Sequence, residues 1–234
     1  MTPAEKRENA IIEAALRLAA RRRWRDVRLS DIAVEANLDL ADLAQTTSSK
    51  ADIVRRFSRR TDRALLSSLK NQPAEGDAHD RLFEVVMRRL EILAPYRAAI
   101  ASIADAPAGH PTGWLMLAGS SATTQRWMLA AAGLEEDGPG GVVKQGGLAC
   151  VYARCLRVWL SDDDPGLART MAALDGDLRA GARWLRWTEV PISLATALSG
   201  IARGLWRGRE PRRDAGYSPP PPPPSRPSAG GPGL

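Results

Sequence analysis

Histidine and cysteine are nearly missing from this chain of 234 residues, with two of each, and that scarcity argues against a metal centre built from clusters of those side chains. His79 and His110 stand apart in loop-like sequence. Cys150 and Cys155 lie five residues apart on one expected helix, a spacing that suits neither a metal pair nor a redox C-x-x-C, and they read as two reduced thiols. There is no apolar run of about 20 residues and no charged-apolar-small leader, so neither a membrane span nor a signal peptide is expected, and the expected location is cytoplasmic. Strand-like alternation bounded by hairpin turns is absent, which leaves an all-α fold. A Gly-rich phosphate loop, H-E-x-x-H and a nucleophile elbow are also missing. Asp162-Asp163-Asp164 reads as a helix-capping loop, so neither an enzyme nor a cofactor is expected.

What the chain does carry is charge, unevenly spread. Residues 1–70 hold 15 Lys/Arg against 10 Asp/Glu, net +5; residues 71–202 hold 12 against 15, net −3; residues 203–234 hold 6 against 2, net +4. Basic ends suit a polyanion, either a nucleic-acid backbone or an anionic membrane surface, and an excess of five also suits a solvated face. Ser218–Leu234 (SPPPPPPSRPSAGGPGL) has almost nothing with which to build a core, so 214–234 reads as a disordered Pro/Gly-rich tail.

Helices can be placed from caps and periodicity. Thr2-Pro3-Ala4-Glu5 is a capping-box start, and Ile11, Ile12, Ala15, Leu16 and Ala19 follow at helical spacing up to Arg21-Arg22-Arg23. Ser30 is the expected cap of a second helix burying Ile32, Ala33 and Ala36. Asn37, which tolerates a left-handed backbone, marks a sharp turn. Asp39 then caps a short third helix with Leu40 and Leu43, and Ser48-Ser49-Lys50-Ala51-Asp52 opens a fourth. Two short helices across a tight turn, braced by longer ones, form a helix-turn-helix domain over residues 1–70. Beyond it, helices are expected over 78–93, 96–104, 111–132, 142–160 and from an Asp164-Pro165 cap to about 187, with 135–141 (EEDGPGG) as a loop.

Asp31-Ile32-Ala33, Ala36, Leu43, Ser49-Lys50 and Ile53 resemble the TetR-family signature D-I-A-x-x-A-G-V-S-x-G-x-L-Y-x-x-F-x-S-K-x-x-L over residues 8–65. Asn37, Ala41, Ala44 and Thr47 stand where that family usually has Gly, Gly, Tyr and Phe. The resemblance implies a homodimeric transcriptional regulator with a DNA-reading head and a helical ligand-binding and dimerisation domain, here 71–189. It also implies a phosphate-binding role for Lys50, while Ala44 lacks the phosphate contact of the family's Tyr. Arg81–Arg89, Val158–Asp164 and Thr170–Asp175 are similar to ubiquinone-biosynthesis accessory proteins, a lipid-binding offshoot of the same fold. That second likeness implies an alternative: a carrier of an isoprenoid or quinone precursor that has lost DNA binding and sits peripherally on a membrane.

The expected recognition helix, 39–46 (DLADLAQT), has no Lys or Arg, and Asp42 carries the wrong sign for phosphate with no structural role evident in the sequence. Gln45 and Thr46 are its candidate base readers, alongside Asp39 and Leu40, with Arg28, Lys50, Arg55 and Arg56 as backbone contacts and Arg59, Arg60 and Arg63 as further cations. In the middle domain Trp114, Met116, Trp127, Met128, Tyr152 and Trp159 are the candidate pocket for a hydrophobic small molecule or lipid, and each of them equally suits an ordinary helical core. Leu194, Leu198, Ile201 and Leu205 form one stripe on a basic helix over 190–213, with Trp206 beside it. That helix suits either packing on the body or a second subunit, or an anionic membrane surface.

Overall fold

The computed structural model describes residues 2–105 and 121–187, with side chains for all of these except Ser121 and 182–187. Helix α1 runs over Pro3–Arg21, followed by a 3₁₀ turn at Trp24–Asp26, α2 (Leu29–Glu35), α3 (Leu40–Thr46) and α4 (Lys50–Asn71). The body continues with α5 (Ala78–Leu93), a 3₁₀ turn at Ala94–Tyr96, α6 (Arg97–Ala104), α7 (Ser121–Ala131), α8 (Gly138–Leu160) and α9 (Ala168–Trp187). No strand occurs among the described residues. The segments 190–213 and 214–234, with Leu194, Leu198, Ile201, Leu205 and Trp206, lie outside the described residues, as do His110, Trp114 and Met116.

Local chemistry explains most helix starts. Thr2 Oγ1 accepts from the Glu5 N–H (3.2 Å) while the Glu5 carboxylate accepts from the Thr2 N–H (2.7 Å), closing the capping box expected there. Helix α2 begins at Leu29, two residues earlier than a Ser30 cap requires: Asp31 Oδ2 accepts from the Arg28 N–H at 3.0 Å and fixes the start. Asn37 has φ +55°, and the Leu38 N–H donates to the Ala33 carbonyl at 2.9 Å, so the chain reverses within three residues. Asp39 Oδ1 caps α3 through the Asp42 N–H (2.6 Å), and Ser49 Oγ caps α4 through the Asp52 N–H (3.1 Å).

Two expectations need correction in the body. Gly138–Gly141 are the first turn of α8, because Pro139 suits that position and its missing N–H leaves no bond unmade. Gly141 is required there: a Cβ on it lies 1.8 Å from the Glu136 carbonyl oxygen. Helix α9 starts at Ala168, later than Asp164-Pro165, after Leu167 at φ +52°. The acidic run caps it from a distance. Asp164 Oδ2 accepts from the Ala168 N–H (3.1 Å), and the buried Asp162 Oδ2 accepts from both the Thr170 N–H (2.8 Å) and hydroxyl (2.7 Å).

A continuous apolar core joins the N-terminal helices to the body. Ile11, Ile12, Leu16, Ile32, Leu43, Ile53, Phe57 and Leu65 belong to the same cluster as Val85, Val86, Leu90, Ile100, Ile103, Leu156 and Leu174. Each such side chain stabilises the fold by roughly 1.5–3 kcal/mol when fully buried. Helix α1 lies along α6, and the Ser102 hydroxyl locks that contact by accepting from the Trp24 N–H (2.9 Å) and donating to the Arg22 carbonyl (3.0 Å).

Candidate nucleic-acid interface and ligand cavity

Helix α3 sorts its residues into two faces. Leu43 is buried against the core, and Thr46 is half-buried with its hydroxyl donating back to the Asp42 carbonyl (3.4 Å), so Thr46 is turned away from the base-reading position expected of it. Asp42 has a structural partner after all, since Arg7 on α1 lies 3.8 Å from its carboxylate and offsets its charge. Asp39 is occupied as the cap. The outward face is therefore Leu40, Ala41, Ala44 and Gln45, all exposed, with Leu40 keeping 55% of its surface in solvent.

The cations expected to hold phosphates divide in the same way. Lys50 points inward: its ammonium donates to the carbonyls of Trp24 and Val27 (2.7 Å each) and lies 3.5 Å from that of Arg25, with the Trp24 ring 5.0 Å away. Burial lowers its pKa from the ordinary lysine value, against the opposing pull of Asp26. The carbonyls of Trp24, Arg25 and Val27, in and just after the 3₁₀ turn, take its three donors, so the ammonium to which the resemblance assigns a phosphate is here engaged as a structural clip. Arg56 is likewise engaged, bridging Glu8 on α1 (2.7 Å) and Asp52 (3.1 Å). Burial pushes the Asp52 carboxyl up, but hydrogen bonds from Arg56 and Thr47 hold it below the usual carboxylate range. Thr47, at the position where an aromatic residue was expected from the resemblance, is buried and donates to Asp52 Oδ2 at 3.1 Å.

Arg60 pairs with Glu13 (2.8 Å) and spans the Phe57 and Tyr96 rings, so it too serves the α1–α4 contact. Arg28 is exposed at the start of α2 and makes no ion pair among the described residues. Arg55 is exposed with a loose contact to Asp52 (3.7 Å). Alongside α3, an open groove of about 700 Å³ is shared by Gln45 and Thr46 with Glu5, Arg7 and Asn9 of α1 and with Arg56, Arg60 and Arg63 of α4. Arg7 had no signal in the sequence beyond its charge.

The body holds an apolar cavity of about 250 Å³ between α5, α7, α8 and α9, lined by Leu82, Leu129, Leu134, Val143, Leu148, Val151 and Leu178 with Ala78, Gly147 and Gly181. His79 and Lys144 are its polar members. His79 sits in the first turn of α5, not in a loop, with Nε2 3.2 Å from Asp175 and Nδ1 3.3 Å from Asp80, and Lys144 is paired with Glu136 at 2.5 Å.

Of the pocket residues expected from the sequence, the four that are described, Trp127, Met128, Tyr152 and Trp159, do not line this cavity. Met128 and Trp159 are buried core, the latter beneath the Arg97 guanidinium; Tyr152 turns its hydroxyl to accept from Arg89 Nε (3.0 Å); and Trp127 is 45% exposed. The described aromatics fill space between helices, and a ring that fills space closes a cavity. The aliphatic side chains that line it carry the same helical periodicity as core.

Between head and body lies a buried polar cluster. Arg89 of α5 is ion-paired with Asp62 of α4 and approaches Ser58 (3.3 Å), while Thr124 of α7 donates to Asp62 (3.1 Å). All four are buried. Asp77, His79 and Asp80 also cluster, but Asp77 Oδ1 is spent as the α5 cap, accepting from the N–H groups of His79 (2.8 Å) and Asp80 (3.0 Å).

Several solved structures share this fold. A TetR transcriptional regulator from Nitrosomonas europaea superposes with a TM-score of 0.59 at 22% identity, covering 75% of this chain and 97% of that one. A TetR transcriptional regulator from Rhodococcus sp. RHA1 gives 0.57 at 17% identity, covering 77% and 97%. No protein-family model and no curated protein sequence matches the chain. The architecture is the TetR fold: an all-α arrangement with an N-terminal helix-turn-helix.

Proposed function

We propose that this TetR-fold protein is a non-enzymatic transcriptional regulator that binds double-stranded DNA as a homodimer and senses an apolar small molecule in the body cavity. The observation that carries the reading is the α2–turn–α3 unit, whose second helix keeps Leu40, Ala41, Ala44 and Gln45 free on its outward face. A helix so mounted fits the major groove. Arg28 and Arg55 remain exposed to meet phosphate, and the net +5 of residues 1–70 supplies the long-range attraction. Trp127, Val142 and Met171, exposed apolar side chains on α7, α8 and α9, are candidates for the contact between copies.

The cavity fits a ring-sized, uncharged apolar ligand, since an apolar cavity of only about 150 Å³ already holds benzene. Such a ligand alters DNA affinity only if it favours one of two head arrangements over the other. Helix α4 is the physical link, because it carries Phe57 in the head's core and Ser58, Thr61 and Asp62 toward the body.

The test is binding to random duplex DNA across a salt series. Affinity falling steeply as salt rises, with one two-fold symmetric sequence recovered by selection, supports the regulator; no retention even at low salt sinks it. For the cavity, Val151→Phe fills the space, and the thermal stabilisation produced by apolar aromatic probes in the unaltered protein should vanish in this variant.

A further inference from the structure

Helix α3 offers DNA an unusually apolar face. At 3.6 residues per turn, Leu40, Ala41, Ala44 and Gln45 span an arc of about 140°, and the helix length of about 10 Å covers roughly three base-pair steps. The acidic members of the helix are withdrawn, Asp39 into its cap and Asp42 toward Arg7. The remaining face holds three hydrocarbon side chains, Gln45 as its only amide, and no cation.

Major-groove chemistry limits what such a face can read. Guanine offers two acceptors that call for Arg or Lys, and α3 has neither. Cytosine presents an amine that calls for a carboxylate, and both carboxylates are occupied. Thymine alone displays a methyl group, which matches Leu40, Ala41 and Ala44; adenine presents the donor and acceptor pair that a Gln amide matches two-for-two. Leu40, left 55% exposed in water at the start of the helix, gains most by covering a methyl.

We infer that α3 reads a run of A·T pairs, with Leu40 and Ala44 packed on thymine C5-methyl groups and Gln45 hydrogen-bonded to an adenine. Leu40 and Gln45 are thus the specificity-determining residues, while Arg28 and Arg55 supply affinity without choosing sequence. The inference rests on the DNA-binding reading above.

The experiment is selection from a random duplex library with the full-length protein, followed by replacement of individual thymines in the selected half-site by uracil. Uracil keeps every hydrogen bond and removes only the methyl. Consecutive A·T pairs should be recovered, and uracil at the positions beneath Leu40 and Ala44 should weaken binding roughly fourfold per methyl, the effect of one lost apolar contact. Leu40→Ala, at an exposed position that the fold does not need, should abolish the uracil effect at one position and leave the salt dependence unchanged. Gln45→Ala should cut the adenine preference about tenfold at its own position. Selected sites with G·C pairs under α3, or affinity indifferent to uracil, overturn the inference while leaving DNA binding intact. Failure to retain any duplex overturns both.

Discussion

The Arg89 guanidinium is ion-paired with the Asp62 carboxylate inside the protein, where 3% and 5% of their respective surfaces remain exposed. The pair joins α5 to α4, and Ser58, Thr124 and Tyr152 supply the hydrogen bonds that two desolvated charges need. Removing one partner strands the other charge. Arg89→Leu should therefore lower unfolding free energy by about 3–5 kcal/mol in urea titration. The double replacement Arg89→Leu with Asp62→Leu should cost clearly less than the sum of the two single changes. Additive costs contradict the coupling. If the pair also sets the orientation of α4, the double variant should bind DNA with altered response to an apolar probe even where it is stably folded.

Lys50 and Arg28 separate a structural cation from an electrostatic one. Lys50 Nζ satisfies carbonyls of the 3₁₀ turn, so Lys50→Met should lower stability by about 1.5–3 kcal/mol, the range for hydrogen bonds to a charged group. Its effect on the salt dependence of DNA binding should be nil once the protein is folded. Arg28→Ala should do the reverse: an unchanged melting temperature, weaker DNA binding, and a salt slope reduced by about one. Thermal melts and a salt titration on the two variants decide the matter, and a Lys50 variant that melts like the unaltered protein returns that residue to the DNA face.

The head was readable because its information is local. Thr2 with Glu5, Asn37, Asp39 and Ser49 act on backbone groups within three residues of themselves, and such rules survive without knowledge of the tertiary fold. Lys50 shows where this stops. Its acceptors lie 23 to 26 residues away, on a turn whose position depends on how α1 and α4 pack. Asp42, which looks misplaced in its helix, meets Arg7 only after α1 folds against α3. The cavity was illegible for a different reason: Leu82, Leu129, Val151 and Leu178 differ from core residues only in what fails to fill the space between them. Helical periodicity reports which face turns inward and carries no record of a void.

Cys155 extends the same contrast to titration. It is fully buried on α8 while Cys150, one turn and a little earlier, is exposed, so one thiol should react with maleimide in the native protein and two in denaturant. Burial, with the Asp177 charge nearby, pushes the Cys155 thiol from 9.0 up to about 12. The folded state thus keeps this proton to higher pH than the unfolded chain does. Its contribution to stability is complete below about pH 9 and is lost as pH rises through the interval to about 12. Cys155→Ala removes the group and should flatten the decline of the urea midpoint between pH 8 and 10.5 relative to the unaltered protein, while lowering stability modestly at neutral pH because a small void replaces the sulfur. Equal pH dependence in both proteins contradicts the burial argument, as does labelling of two thiols under native conditions.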